Sequence, residues 1–259
     1  MNTVVLLKMV PDVVEELEVA ADGRSLDTEF LRLILNERDN HALELALLLK
    51  ERHGGKVAAV ALDAPEVDEA LFTALAKGAD RAVKITGVEP GLSTRAATAC
   101  LAKVLGRAGL WPADLVLMGV QAIDDLDGLM APLLAQQLGL PYAGIVTRVE
   151  LDSAGTAATI VKEFPRGVRG EFEITLPAVL GIQAAEKPPR YVPVAKVRAA
   201  MKTQRIDSVA GPAMEPGPAL VKILRLEKPQ ATTHAEMLEG RAEAVAGKVC
   251  EILAGQGLL

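Results

Sequence analysis

The sequence predicts an α/β fold: a doubly wound, mostly parallel sheet with helices on both faces, a small antiparallel meander, and a C-terminal extended arm ending in a helix. Three observations predict it. Half of the 259 residues are hydrophobic but only 3% are aromatic, so the core must be built from Ala, Val and Leu, which suits helices packed on a buried sheet. Short aliphatic runs alternate with stretches of helical period as far as about residue 145. Beyond Pro141 the period drops towards two, the repeat of a half-exposed strand.

Residues 3 to 9 form the first run and stop at Pro11-Asp12. Residues 57 to 62, 81 to 85 and 114 to 118 supply three more, bounded by Pro65 after the second and Gly119 after the fourth. Apolar residues recur at helical spacing over 39–52, 66–77, 93–108 and 128–138, and strands alternating with helices imply parallel neighbours joined by crossovers. Residues 145–151, 157–164 and 171–176 are separated by turn signals at Asp152-Ser153-Ala154-Gly155 and Arg166-Gly167, which predicts an antiparallel meander. Residues 177–182 again read as a buried strand, returning the chain to its sheet. A loop over 183–193 and a basic stretch from Lys196 to Arg205 follow. Residues 209–229, with Pro212, Pro216, Pro218 and Pro229, read as an extended arm, and a last helix is expected over about 234–254. Either a partner surface or the chain's own core must cover Leu220, Val221, Ile223 and Leu224.

Composition excludes several classes of function. With 34 acidic against 28 basic residues the net charge is −6, the wrong sign for a phosphate-backbone footprint, so nucleic acid is not an expected partner. No apolar run reaches membrane-spanning length, and the N-terminal Val4-Val5-Leu6-Leu7 lacks the length of a signal peptide. Cys100 and Cys250 stand alone, without zinc, redox or disulfide spacing. A cytoplasmic protein is expected.

In an open α/β sheet a ligand sits beyond the carboxyl ends of the strands, where strand order reverses. The loops Lys8–Asp12 and Gly119–Gly128, after the first and fourth strands, are the expected walls. Neither GxGxxG nor GxxxxGK[ST] occurs, which argues against dinucleotide binding of the Rossmann type and P-loop phosphoryl transfer. Asp124, Asp125 and Asp127 precede a helix, yet the calcium-loop pattern fails because Leu129 stands where glycine is required and Ala135 where glutamate closes the loop. Asp127 is instead expected to cap that helix, a role worth about 0.5–2 kcal/mol. The same helix start could offer its amides to an anion, though three carboxylates oppose this. His41, His53 and His234 are scattered, and no serine lies in a nucleophile elbow. No catalytic acid, base or nucleophile is expected.

Six blocks, in order, resemble the beta subunit of electron transfer flavoproteins, including its nitrogen-fixation homologues. Leu7-Lys8-Met9-Val10-Pro11-Asp12 is similar to the family's V-K-x-V-P-D opening. Asn36-Glu37-Arg38-Asp39, with Ala42-Leu43-Glu44-Leu45-Ala46 and Leu49-Lys50-Glu51, resembles N-P-x-D-x-x-A-x-E-x-A-x-x-L-K-E, Glu37 replacing the proline. Ala74-Leu75-Ala76-Lys77-Gly78-Ala79-Asp80-Arg81 resembles A-L-A-M-G-A-D-R, and Gly119-Val120-Gln121-Ala122-Ile123-Asp124-Asp125 resembles G-K-Q-A-I-D-G/D. Leu176-Pro177-Ala178-Val179 and Pro189-Arg190-Tyr191 complete the series.

The resemblance implies a noncatalytic half of a heterodimer with a fold of the adenine nucleotide alpha-hydrolase kind. Its alpha partner holds FAD. Electrons pass from a flavoprotein dehydrogenase through that FAD to a quinone oxidoreductase or another acceptor. The beta chain would carry AMP or, in the electron-bifurcating branch, a second FAD. Residues 1–207 would form the nucleotide-binding domain, and 208–259 an arm and helix wrapping the alpha subunit. By position, the nucleotide would meet Leu6, Lys8, Asn36, Asp39, Leu62, Asp63, Ala64, Gly119, Val120, Asp125, Asp127, Gly128, Leu129 and Met130. Val13 and Arg38 align with positions that face the alpha-bound flavin, where the charge of Arg38 would favour anionic reduced forms. The loop Gln183-Ala184-Ala185-Glu186-Lys187-Pro188-Pro189-Arg190-Tyr191 would dock on the dehydrogenase.

Besides Glu37, the chain departs from the family in three further places. Leu126-Asp127-Gly128-Leu129-Met130-Ala131 replaces D-T-A-Q-V-G or D-C-N-Q-T-G, so the phosphate-facing hydroxyl and amide side chains are lost. Ala64-Pro65 replaces glycine-proline. Ala184-Ala185 stands where the family carries a leucine anchor, which implies a different or weaker docking partner. The alternative from another class is a stand-alone nucleotide-binding regulator of the universal-stress type. A hydrolase of that superfamily is less favoured, because no serine-glycine phosphate loop follows the first strand.

Overall fold

The computed structural model describes residues 1–88, 91–125, 127–213, 221–229, 235 and 237–259. Leu126, Pro216, Pro218, Leu220 and His234, singled out above, lie outside the described residues. A nine-stranded sheet in the order β11-β5-β4-β1-β6-β10-β7-β8-β9 organises the chain.

Strands β1 (Asn2–Leu7), β4 (Lys56–Leu62), β5 (Arg81–Thr86), β6 (Leu115–Gly119) and β10 (Ala178–Ile182) run parallel. β1, β4, β6 and β10 are apolar on both faces over most of their length because both faces are covered, whereas β5 carries the half-buried Arg81 and Lys84. Val5 and Leu7 face a core made with α1 (Glu37–His53) and α2 (Val67–Lys77), whereas Val4 and Leu6 face one made with α3 (Thr94–Arg107) and α4 (Met130–Leu138). This is the expected doubly wound fold. The meander is also as expected: β7 (Tyr142–Leu151), β8 (Ala157–Glu163) and β9 (Arg169–Thr175) pair antiparallel. Strand β10 returns between β6 and β7 and runs parallel to both. The β7 register shifts next to Ile145, whose φ of 60° lies in the left-handed region.

Two elements carry no clear sequence signal. A hairpin of β2 (Met9–Pro11) and β3 (Leu33–Leu35) frames the long excursion between β1 and α1. The basic stretch after Pro193 forms α5 (Val194–Thr203), whose Val197 and Ala200 pack on Phe72 and Ala76 of α2. Strand β11 (Ile206–Ala210) then joins the sheet edge beside β5, so the extended arm begins after Ala210 and not at residue 209. Its alternation is weak because it is an edge strand with little burial.

The described part of the arm, 221–229, has no regular structure. It touches the β2–β3 excursion, where Leu226 N–H donates to Gly23 O at 2.8 Å and Lys228 pairs with Glu16 and Glu18. Val221, Ile223 and Leu224 remain exposed, so the chain's own core does not cover them. The last helix, α6 (Ala242–Gly255), starts later than residue 234 and buries none of its side chains. No described helix is long and apolar enough to cross a membrane.

Leu117 is fully buried at the sheet centre, whereas Leu224 is 75% exposed. Leu117→Ala should cost about 2–5 kcal/mol in urea unfolding of the chain alone. Leu224→Ala should change it by no more than about 0.5 kcal/mol; similar losses from both would contradict this division between core and arm.

Candidate functional site

Strand order reverses at β1, with β4 and β5 on one side and β6 on the other. The crevice expected at that switch point therefore lies between the ends of β1 and β6, and α1 begins beside it. Asn36 precedes α1, with its N–H donating to Lys8 O at 2.9 Å and its side-chain amide donating to Gln121 O at 3.3 Å. One turn on, Asp39 accepts from Lys8 N–H at 2.8 Å and from Gly119 N–H at 2.6 Å. One carboxylate thus ties both strand ends to the helix.

This approach requires a glycine at 119. A Cβ there would lie 2.7 Å from Arg38 Cβ and 2.7 Å from Asp39 Oδ1. Burial pushes the Asp39 carboxyl up from 3.8 to about 6, against the two backbone hydrogen bonds, the Asn36 side chain and the Lys8 charge, all of which favour ionisation.

The turn after β6 satisfies itself. Lys8 Nζ pairs with Asp124 Oδ1 at 2.7 Å, Asp125 Oδ1 accepts from Gly128 N–H at 3.1 Å, and Asp127 Oδ1 accepts from Leu129 N–H at 3.0 Å. Gln121 Nε2 donates to Asp125 O at 3.0 Å. Burial and a hydrogen bond shared with Asp127 raise the Asp125 pKa. Burial acts on Asp127 too, but the Asp125 contact, Leu129 N–H and the Thr94 side chain together hold it low.

Asp127 is not the N-cap of α4. Leu129 holds that position without a side-chain cap, and the helix starts at Met130 rather than residue 128. The Asp127 carboxylate reaches only the amide of the N-cap residue itself, because Gly128, at φ 57°, turns the chain between them.

Lys8, Asn36, Asp39 and Gly119 share one hydrogen-bond network, and Val120 continues it by donating its N–H to Ile182 O at 2.9 Å. Other expected residues lie apart from that network. Leu6 is a buried core residue, and the half-buried Leu62 packs against the same core, so only their backbones could line the crevice. Asp63 turns towards β5, donating its N–H to Ile85 O, while Ala64 packs against the opposite core. Leu129 is exposed, and Met130 packs against the α3–α4 core. Val13 is exposed on the excursion, and Arg38 donates from its guanidinium to Gln183 O at 3.2 Å.

Helix α1 also carries a row of groups that grip residues 183–191. Below Arg38, His41 Nδ1 accepts from Ala185 N–H at 3.2 Å, and Arg52 forks onto Glu186 at 2.6 and 3.2 Å. Glu44, 3% exposed in the midst of the apolar run Ala42–Leu49, accepts a bidentate pair from Arg190 at 2.8 and 2.9 Å. It also accepts from Arg190 N–H, and Glu51 takes a further guanidinium N–H at 2.6 Å.

Burial works to raise the Glu44 pKa, but the Arg190 hydrogen bonds hold it below the usual range, and Arg190 is correspondingly held up. Burial lowers the Lys77 pKa against the attraction of Glu44, and its ammonium donates to Asn40 Oδ1 at 2.5 Å. Ala184 and Ala185 are half-buried, and Ala185 packs against the core; Glu186, Lys187, Pro188 and Tyr191 are the exposed residues, with Pro189 half-buried between them. The roles of His41, Glu44 and Arg52 were not legible as site features. The available signal was one carboxylate inside a helix that is otherwise apolar over eight residues.

A doubly wound sheet with a switch point at β1 and a loop clamped beside its first helix defines the class as a doubly wound α/β domain extended by a meander. The electron transfer flavoprotein domain model matches residues 26–213. Over 263 aligned residues the chain is 30% identical to the electron transfer flavoprotein subunit beta of Methylophilus methylotrophus, covering 98% of both chains. It is 35% identical to that of Clostridium acetobutylicum, over 76% of this chain and 74% of the other. It is also 32% identical to protein FixA of Azorhizobium caulinodans, over 65% of this chain and 61% of the relative. The chain belongs to the electron transfer flavoprotein family, with the beta subunits and FixA proteins.

Two tests address the network. Because the folded-state pKa of Asp39 is raised, the native protein keeps a proton that the unfolded chain has already lost between about pH 4 and 6, so stability falls as pH rises through that window and levels off above it. Measured by urea unfolding, the lead of the native sequence over Asp39→Asn should shrink by roughly 3 kcal/mol across this range; a constant gap would show that the carboxyl does not titrate there. Glu44→Gln should cost about 1–3 kcal/mol by leaving Arg190 under-satisfied, and should speed proteolytic cutting within 183–191. Unchanged cutting would show that the clamp does not order the loop.

Proposed function

We propose that this chain is the noncatalytic beta-type half of a two-chain electron transfer flavoprotein, with FAD held mainly by an alpha-type partner. The observation that carries the reading is the uncovered tail. Beyond Ala210 the described residues bury no side chain of α6 and leave Val221, Ile223, Leu224 and Met237 exposed. Single exposed apolar residues are ordinary, but a C-terminal segment whose described residues share no buried core fits a surface made for another chain. Residues 208–259 then form the wrapping arm, with its first residues anchored in β11.

The clamped loop serves the second contact. A flavoprotein dehydrogenase would dock on 183–191, with electrons passing to the partner's FAD and on to a quinone oxidoreductase or other acceptor. Tyr191, 84% exposed beside the anchored Arg190, is the one large side chain that this loop offers. It takes the anchoring role that two half-buried alanines cannot fill. Arg38 sits between this loop and the crevice, its guanidinium already committed to Gln183 O. Together with Val13 it is the chain's contribution nearest the partner's flavin.

The adenine nucleotide, AMP or a second FAD, is not included in this role, because the turn that would receive its phosphate is filled by its own carboxylates. A stand-alone regulator of the universal-stress type would need neither the clamp nor the tail.

Co-expression with a flavin-bearing alpha-type chain should give a yellow one-to-one complex. A colourless homodimer, or unaided turnover of a substrate, would overturn the reading. Within that complex, Tyr191→Ala should slow electron delivery from the dehydrogenase by about tenfold, as expected for loss of an interface anchor worth at least 1–2 kcal/mol, while leaving flavin content unchanged.

A further inference from the structure

The turn between β6 and α4 is where a phosphorylated ligand of the crevice would be gripped. An anion at such a place is held by free backbone N–H groups, by the first turn of the helix, and by a nearby cation. Here each of the three is committed or diminished.

Among the backbone donors, Gly128 N–H is taken by Asp125 Oδ1 at 3.1 Å and Leu129 N–H by Asp127 Oδ1 at 3.0 Å, while Asp125 N–H goes to Ala122 O at 3.1 Å. The first turn of α4 is Met130-Ala131-Pro132, and the proline has no N–H to give. Leu133 N–H, the next along, already donates to Leu129 O at 3.0 Å. The helix thus offers two amides where a helix start ordinarily offers four. The cation is Lys8, and its ammonium lies 2.7 Å from Asp124 Oδ1.

Charge points the same way. Lys8 is the cation that acts on Asp39, Asp125 and Asp127, and it is paired with Asp124. An incoming phosphate would meet one ammonium against four carboxyl groups. A divalent cation could in principle bridge acid to phosphate, but among the described residues no three His, Cys, Asp or Glu side chains converge to hold one.

We propose that Asp125 and Asp127 are built-in substitutes for a phosphate: their carboxylates occupy the amides a phosphoryl group would take, and they determine that the crevice rejects phosphorylated nucleotides, mono- and diphosphate alike. The two aspartates are specificity-determining residues. They stabilise without a ligand a turn that would otherwise need an anion to close it, so the crevice is complete as it stands.

The proposal rests on the functional reading above, but its test separates the two. The chain alone and its purified complex with the flavin-bearing partner are dialysed to equilibrium against labelled AMP. Nucleotide and flavin released by denaturing the complex are counted in the same preparation. The native chain should retain no stoichiometric AMP in either form. The Asp125→Asn/Asp127→Ser double variant should bind AMP tighter by about tenfold or more, the effect of removing the carboxylate charge that opposes the phosphate and weakening its hold on the two amides, while adenosine, which has no phosphate, should bind both proteins alike. If the double variant does not fold, as judged by circular dichroism, Asp127→Asn alone should show the same direction.

One AMP or a second flavin per complex in the native protein would overturn the proposal, as would an AMP affinity that neither variant raises. A complex without any flavin would instead strike at the functional reading, and the dialysis of the chain alone would still decide between retention and rejection of AMP.

Discussion

The carboxylate of Asp39 sits where three parts of the molecule must meet: the end of β1, the end of β6 and the first turn of α1. Parallel strands diverging at a switch point leave unpaired N–H groups at their carboxyl ends, and burying such groups without partners costs about as much as losing the hydrogen bonds outright. Asp39 answers two of them at once. It can do so only because Gly119 has no Cβ to keep the helix away. Keeping a carboxylate there carries an electrostatic cost, visible in a pKa raised to about 6, and the backbone donors and the Lys8 charge offset part of it.

Because Asp39 fixes the start of α1, it also fixes everything α1 carries. Arg38, His41, Glu44 and Arg52 lie along one helix and reach residues 183, 185, 190 and 186 respectively. The crevice and the exposed loop are therefore two ends of one rigid element. A loop held by a bidentate buried ion pair, an arginine fork and two backbone contacts loses little further freedom when it meets a partner, and low ordering cost is what makes a small contact effective in association. On the proposed electron-transfer role, helix α1 would hold the surface that meets a donor in register with the residues assigned to the partner's flavin.

On the proposed reading, the acidic turn lets a shared fold depart from a shared ligand. The sheet and its switch point are consistent with the family fold, and the turn closes on its own side chains. Asp125 and Asp127 accept from the amides of Gly128 and Leu129 within the turn itself. Fold and ligand are separable because the fold depends on apolar layers either side of the sheet, whereas the ligand depends on a handful of donors at one edge of it.

The sequence by itself determined the layers. Strands such as Val4-Val5-Leu6-Leu7 are apolar at every position, which only a sheet covered on both faces can bury, and the change of period after Pro141 marked the meander. It also marked the loops after β1 and β6 as the place to look for a ligand, since their position follows from topology. It did not determine the partners of charged groups. Glu44 and Arg190 are 146 positions apart, and no local pattern links them; their pairing exists because β10 returns to the sheet beside β6 and delivers the loop onto α1. Nor did it determine α5 and β11, where Lys196, Arg198, Lys202 and Arg205 obscure an apolar pair that gains its meaning only against α2. Local period is set by which side chains must avoid water, and one chain contains that information. Which amide a carboxylate accepts, or whether Asp127 caps a helix or merely the residue before it, depends on distances of a few tenths of an ångström that only the assembled tertiary structure decides.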